Sequence, residues 1–347
     1  MIDVGIIGAS GYTGAELLRL CAAHPELRVV FATGDSQAGT ALAELYPSLA
    51  AAYPGLVFDT YDPGLLDRVD LVFCGLPHGA SQALMPLLRE KVRWVVDLAA
   101  DFRLQDPELY PTWYGEAHTA PELLAGFAYG LPELFRADIT GASAVATPGC
   151  YPTCAALAIA PLVRNGLVQT HGIVVDAASG VSGAGRPPKP GTTFCAVDED
   201  FTAYGILTHR HTPEMEQTVA RLAGTDAGGV SVLFTPHLAP MNRGMLATCY
   251  LRPHAGHATA ELLELYRESY AGEPFVVVTD GSPSTKACLG ANTAHVTVRA
   301  DERTGWIVAI AAIDNLTKGA SGQAVQCANI LAGLPEQTGL STTGVYP

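Results

Sequence analysis

Apolar positions in the first 100 residues fall into short solid runs, separated by stretches with helical spacing. "IDVGIIG", "LRVVFATGD", "VDLVFCGLP" and "RWVVDLAAD" read as buried strands, with "TGAELLRLCAAH" and "SQALMPLLRE" as helices between them. Such alternation predicts a Rossmann-type, doubly wound parallel sheet, which takes its ligand at the carboxyl ends of its strands. From about residue 102 to 147 the pattern turns irregular, with Pro, Tyr and Trp in "DPELYPTWYGEAH". Beyond 148 the strands lengthen and alternate more cleanly: "HGIVVDAAS", "GVSVLFTPH", "GMLATCYLRP", "PFVVVTD", "TAHVTVRA" and "GWIVAIAAI". With "TPEMEQTVARLAG" and "HATAELLELYRESYAG" as helices, they predict an α+β domain built on a mixed or antiparallel sheet. The chain is thus expected to be α/β with two domains. A last apolar helix, "QAVQCANILAGL", is assigned to neither by pattern alone.

Composition narrows the class. The chain has 347 residues, more than one ordinary core accommodates. Hydrophobic residues make up 48% and charged residues 16%, which is globular and rules out a disordered chain. The net charge of −14 speaks against a nucleic-acid or anionic-membrane partner. An anionic substrate would therefore need a few local arginines and helix N-termini. The N-terminus lacks a basic, signal-like region, and the longest apolar runs fall short of the ~20 residues a membrane span needs, so a cytoplasmic protein is expected. Eight scattered cysteines include no CxxC pair, which disfavours a disulfide framework or a zinc ribbon.

Two clusters carry candidate chemistry. In "GIIGASGYTGAELL" the glycines Gly8, Gly11 and Gly14 stand three apart, between a strand and a helix. A glycine turn lets the backbone approach a pyrophosphate, and the helix N-terminus supplies free amides and a positive dipole end. Ser10, Tyr12 and Thr13 add polar groups there. Asp35 after the second strand favours an unphosphorylated ribose, while Ser36 and Gln37 offer hydrogen bonds to a 2′-phosphate, so the residues leave NAD and NADP open.

The second cluster begins at "TPGCYPTCAAL". C-x3-C would need two more ligands of matching style to hold zinc, and none follows, so no metal is expected. Cys154 reads as core. Pro152 suits a first helical turn, which places Cys150 just before a helix N-terminus, where amides and dipole favour a thiolate and would hold an oxyanion. Core packing and nucleophile both remain open for Cys150 at this point. In "ILTHRHTPEMEQTVARLAG", Thr212 reads as an N-cap and Pro213 as the first helical residue, so His209 and His211 fall in the entering loop. A helix N-terminus keeps a nearby histidine neutral, and Glu214 in the first turn is placed to orient a ring. A Cys–His pair with a dinucleotide loop points to thiol-assisted hydride transfer at an acyl group.

The motifs "GASGYTG", "LPHG", "DLAADFRL", "PGCYPT", "SGVSGAGR", "HRHTPE", "PMNRG" and "DNLTKGASGQA" run in that order from residue 8 to residue 324. Together they resemble the N-acetyl-γ-glutamyl-phosphate reductases, the arginine-pathway branch of the semialdehyde dehydrogenases. The resemblance implies that Cys150 attacks an acyl phosphate, that NADPH reduces the thioester to the semialdehyde, and that His209 serves as acid–base with His211 and Glu214 as partners. It implies a pyrophosphate loop at Gly8, Ser10, Gly11, Tyr12, Thr13 and Gly14, and further NADP(H) contacts at Ser36, Pro77, Ser182, Gly183 and Asn315, the last at the carboxamide. Arg103, Arg186 and Lys189 become the candidates for the substrate's phosphate and carboxylate. The resemblance also implies that residues 1–147 with 318–347 form an NADP-binding domain, that 148–317 form a catalytic and oligomerisation domain, and that the protein is a homodimer or homotetramer releasing inorganic phosphate. Rival readings are a reductase of aspartyl phosphate or of a carrier-bound aminoadipyl or glutamyl phosphate, and a dinucleotide sensor without chemistry. A carrier-bound substrate would call for a basic docking surface around the site, and a sensor for a missing nucleophile or base.

Overall fold

The computed structural model describes residues 1–346 and divides the chain into two compact units. The first comprises Met1–Pro111, Glu116–Pro148 and Ala320–Leu340; the second comprises Thr112–Gly115, Gly149–Gly319 and the tail from Ser341.

The first unit is built on a six-stranded sheet of β1 (Ile2–Ile7), β2 (Leu27–Ala32), β3 (Leu71–Cys74), β4 (Trp94–Asp97), β5 (Ala128–Tyr129) and β6 (Ala144–Ala146). Its order is β2-β1-β3-β4-β6-β5, and every pairing is parallel. β3 is buried at every position, as a strand covered by helices on both faces must be. The helix Tyr12–Ala23 follows β1, Ala80–Lys91 follows β3, and the C-terminal helix Gly322–Leu331 packs against β4 and against Tyr12–Ala23. Ala324, Val325, Cys327 and Ala328 of that last helix join Leu17, Leu18, Phe73 and Val145 in one apolar core. The irregular stretch contains more structure than its pattern predicts: a helix Leu109–Tyr114, a helix Pro132–Ile139, and both β5 and β6.

The second unit carries a seven-stranded mixed sheet of β7 (Ile173–Gly180), β8 (Thr202–Ala203), β9 (Val232–Ala239), β10 (Met245–Leu251), β11 (Val276–Val278), β12 (Ala294–Asp301) and β13 (Trp306–Ile313). The order is β11-β12-β13-β10-β7-β9-β8, with β11–β12 and β7–β9 parallel and the other pairs antiparallel. In β10 buried and half-buried residues alternate along the whole strand, so one face lies under helices and the other is more open. The covering helix is Cys150–Arg164, buried from Tyr151 to Val163 and packed on β10 and β13. Pro161 inside it has no N–H for the Leu157 carbonyl, and the Tyr270 hydroxyl donates to that oxygen at 2.5 Å instead. Among the described residues no helix is long and apolar enough to cross a membrane.

Candidate active site

In the first unit the three glycines of the turn after β1 have three different spatial reasons. Gly8 has φ +82°, a left-handed backbone, and a Cβ there would lie 2.6 Å from the Gly75 carbonyl oxygen. At Gly14 a Cβ would stand 2.4 Å from Ala9 Cα, so helix and strand approach as closely as only glycine allows. A Cβ at Gly11, by contrast, meets nothing nearer than Gly8 O at 3.9 Å. That open position is the N-cap of the helix Tyr12–Ala23 and carries no side-chain cap, leaving first-turn amides to a ligand. The cradle fits a dinucleotide pyrophosphate. Around it, Gly8 N–H donates to Thr33 Oγ1, Ser10 Oγ donates to Gly34 O, and Ser321 Oγ donates to Thr13 O at 2.8 Å. Tyr12 is exposed on the same turn. Asp35 and Ser36 are both exposed in the short turn Asp35–Gln37 after β2, which the Ser10–Gly34 bond ties to the glycine loop. Pro77 is exposed just beyond β3, its carbonyl accepting from the Ala80 amide at 3.2 Å.

Beside that turn lies a buried charge network to which the sequence reading gave no role, although "LPHG" and "DLAADFRL" contain it. Asp101 is fully buried and accepts from Gly79 N–H at 2.8 Å, Ser81 N–H at 3.1 Å and Ser81 Oγ at 2.7 Å, while pairing with His78 Nδ1. Burial works to raise its pKa, but the bonds from His78, Gly79 and Ser81 hold it down at about 2. Asp97, also fully buried, is pushed up to about 7 by burial and then by the neighbouring Asp101 charge. Together they fix the start of the helix Ala80–Lys91. Arg103, a candidate for the substrate's anionic groups, is almost wholly buried in this unit, and its Nη2 donates to Leu98 O at 2.8 Å.

In the second unit the motifs converge. Cys150 is itself the first residue of its helix, with Gly149 as N-cap; the expected start two residues later at Pro152 is corrected. Proline fits at Pro152 because first-turn amides have no intrahelical acceptor to lose. Cys150 is partly accessible, whereas Cys154 is fully buried with Sγ 3.2 Å from Ala311 O, so Cys154 is core. The histidine helix spans Thr212–Ala223 with His211, not Thr212, at the N-cap. Glu214 in its first turn is fully buried, and its Oε1 accepts from the Gly149 N–H at 2.8 Å. The carboxylate expected to orient a histidine thus also grips the backbone immediately before Cys150.

His209 and His211 lie edge to face, 4.8 Å between ring centres. Tyr151 packs against both, at 5.6 and 5.9 Å, while Tyr204 and Phe234 close the wall around His209 at 5.6 and 5.3 Å. Tyr204 donates to the Tyr151 hydroxyl at 3.1 Å, and Tyr151 donates to His237 O at 3.0 Å. Burial, and secondarily the Arg210 charge, press the His209 pKa down to about 4. His209 Nδ1 accepts from the His211 N–H at 3.1 Å, so the neutral ring carries its proton on Nε2.

"SGVSGAG", "PMNRG" and "DNLTKG" meet as well. Val181 N–H donates to Met241 O, Ser182 N–H to Asn242 O, and Gly180 leaves no room for a Cβ against Asn242 O at 2.8 Å. Asn315, 2% exposed, accepts from Gly244 N–H at 2.8 Å and donates to Ser182 Oγ at 2.9 Å, joining all three loops. Gly183 is exposed one residue on. Arg186 is half-buried and Lys189 exposed in the loop that follows. Tyr204 and Phe234 had no signal in the sequence, since an isolated aromatic reads as core.

Compared with known proteins, residues 3–142 match the family model described as semialdehyde dehydrogenase, NAD binding domain, and residues 150–315 match semialdehyde dehydrogenase, dimerisation domain. An N-acetyl-gamma-glutamyl-phosphate reductase of Symbiobacterium thermophilum is 51% identical over 350 aligned residues, covering 100% of this chain and 99% of the relative. The chain belongs to the N-acetyl-gamma-glutamyl-phosphate reductase family. Another such reductase, of Desulforudis audaxviator, is 49% identical and fully covered on both sides. The family's fold also matches more distant solved structures. The aspartate semialdehyde dehydrogenase II of Vibrio cholerae, complexed with ASA, superposes with TM-score 0.70 at 17% identity, covering 96% of this chain and 98% of that one. The aspartate semialdehyde dehydrogenase of Candida albicans, with NADP, gives 0.69 at 15% identity, over 96% and 98% of the chains. At that identity the likeness speaks for the fold alone.

Proposed function

We propose that the protein reduces N-acetyl-L-glutamyl 5-phosphate to N-acetyl-L-glutamate 5-semialdehyde and inorganic phosphate, the third step of arginine biosynthesis, with NADPH as reductant. The observation that carries the reading is a cysteine at the first position of a buried helix, its N-cap amide gripped by a buried carboxylate. Full-length identity to reductases of that name supports the substrate.

In this reading the Cys150 thiolate forms a bond to the acyl carbon, the carbon–oxygen bond to phosphate breaks, and phosphate leaves. NADPH, when bound, would supply a hydride to the thioester carbon, leaving a hemithioacetal oxyanion. The carbon–sulfur bond then breaks, releasing the aldehyde and restoring the thiolate. His209 faces the oxygen that gains charge, with His211 and Glu214 as its neighbours at the helix mouth. Ser182 and Gly183 border the nicotinamide, and Asn315 holds Ser182 for that purpose. Gly8 to Gly14 hold the pyrophosphate, Ser36 the 2′-phosphate and Pro77 the edge of the cofactor. Arg186 and Lys189 are the substrate's anion partners. Self-association of the second unit draws support from the description of its matching dimerisation model.

The test replaces Cys150 with serine. Phosphate-dependent oxidation of N-acetylglutamate semialdehyde should vanish while nucleotide binding, followed by fluorescence, persists; appreciable residual turnover would remove Cys150 from the nucleophile role. Running the wild type with aspartate semialdehyde in parallel tests the substrate, and a comparable kcat/KM for the two aldehydes would overturn that assignment.

A further inference from the structure

Cys150 has a wall behind it, and the wall is a glycine. Gly319 stands in the π-helical turn Thr317–Ser321. A Cβ built on it would lie 2.8 Å from Cys150 Cβ, 3.3 Å from Cys150 Cα and 3.3 Å from Ile313 Cδ1. Real Cβ atoms do not approach that closely, so the two backbones meet at a separation only glycine permits. The need is for room, since Gly319 has no positive φ.

Neither side of the contact can retreat cheaply. Gly319 N–H donates to Asp314 O at 3.0 Å. The Asp314 carboxylate is fully buried and accepts from Leu316 N–H at 2.8 Å, Thr317 N–H at 3.2 Å and Gly290 N–H at 2.7 Å, and it pairs with Arg243 at 2.9 Å. Thr317 Oγ1 donates to Ala291 O at 2.5 Å. Lys318 is fully buried, its ammonium 5.6 Å from the Phe275 ring centre. Opposite, Cys150 opens a helix that is buried from Tyr151 to Val163 and whose N-cap amide is held by Glu214. A buried, hydrogen-bonded turn and a buried helix both resist the shift of roughly 1 Å that takes an added methyl from 2.8 Å out to ordinary van der Waals contact with Cys150 Cβ. Short π-helical segments of this kind recur at functional sites.

We propose that Gly319 is a positioning residue for Cys150: its absent side chain sets the depth at which the thiol-bearing residue sits. The inference rests on the nucleophile reading above. Gly319→Ala should lower kcat by about 10²-fold, the order that a ~1 Å misplacement of a reacting group costs, with a much smaller change in KM. Alkylation of Cys150 by iodoacetamide, read by peptide mass spectrometry so that the exposed Cys195 does not contribute, should change in rate and in pH midpoint. Melting temperature supplies a readout independent of chemistry. Gly319→Ala should lower it in the wild-type background and lower it much less with Cys150→Gly, which removes the Cβ that the methyl meets. If Gly319→Ala does not fold alone, a folded Cys150→Gly/Gly319→Ala double variant supports the contact, and an unfolded one overturns it. Alkylation with wild-type rate and midpoint, or equal melting losses in both backgrounds, also overturns the proposal. Failure of the nucleophile reading is seen separately, as turnover in Cys150→Ser.

Discussion

Removing the Glu214 carboxylate should loosen the start of the cysteine helix, and the size of the effect follows from one bond. Glu214 Oε1 accepts from Gly149 N–H at 2.8 Å, with Glu214 fully buried and Gly149 buried. Hydrogen bonds to a charged group contribute roughly 1.5–3 kcal/mol, and an orphaned buried donor costs about 1–3 kcal/mol. Glu214→Ala therefore costs about 2–3 kcal/mol. Glu214→Gln keeps an oxygen for the same amide, and a neutral bond is about half as strong as a charge-assisted one, so the loss is about 1 kcal/mol. For a folding unit of this size each kcal/mol moves Tm by ~2–4 °C. The alanine variant should melt ~4–12 °C below wild type and the glutamine variant ~2–4 °C below. The assay is differential scanning fluorimetry at one fixed protein and nucleotide concentration, because bound nucleotide shifts Tm by mass action. Turnover is measured on the same samples, and the alanine variant should lose the greater share of it. Equal melting of the two variants would show that the Gly149 bond contributes nothing particular, and the reasoning would fail.

Two further outcomes are expected. His209 is held at about 4 by burial first and the Arg210 charge second. The unfolded chain takes up a proton near 6.5 and the folded one only near 4, so the neutral ring's stabilising contribution is complete above about 6.5 and is lost as pH falls toward 4. Arg210→Gln should raise the His209 pKa, narrowing that window and moving the acid-side inflection of kcat upward; an unchanged imidazole titration by ¹⁵N NMR would contradict this. For the cofactor, Asp35 is exposed next to Ser36 in the turn after β2. A charge pair ~4 Å apart in water is worth about 1 kcal/mol, so Asp35→Ser should raise the NADPH-to-NADH ratio of kcat/KM several-fold. A constant ratio would show that Asp35 faces away from the ribose.

The parts of the fold written in periodic patterns were legible. β1, β3 and the alternating β7, β10 and β13 stand where their apolar spacing places them, because a covered strand and a half-open strand have different periods. β5 and β6, of two and three residues, are too short to display a period, and they were missed inside the irregular stretch. Helix starts shifted by a residue or two at Pro152 and Pro213, because proline is tolerated throughout the first turn and does not mark one position within it. The glycine loop was legible as a ligand turn, yet the division of labour among Gly8, Gly11 and Gly14 depends on what each Cβ would meet. The same holds for Gly319, an ordinary glycine in the sequence, whose neighbour Cys150 lies 169 positions away. Long-range packing also hid the Tyr204–Tyr151–His209 wall and the burial of Arg103.

The two histidines are not equivalent, and the difference constrains the chemistry proposed for them. With Nδ1 accepting from the His211 amide and a pKa near 4, His209 is present at neutral pH as an uncharged ring whose proton sits on Nε2. To act as a base through Nε2, that ring would have to move its proton to Nδ1 and surrender the bond to the His211 N–H. As a donor it needs no rearrangement. A preorganised donor beside the aromatic wall of Tyr151, Tyr204 and Phe234 is worth most against an oxygen that gains negative charge during the reaction. In the proposed sequence that oxygen belongs to the acyl carbon on Cys150, first as phosphate is displaced and again as hydride arrives. Within the proposed function, the acid–base histidine expected from the sequence becomes a narrower proposal: His209 would stabilise charge by hydrogen bonding, which a neutral imidazole does without changing its protonation. The ¹⁵N shifts collected for the Arg210→Gln comparison read the tautomer directly, and a proton found on Nδ1 in the wild type would reverse this assignment.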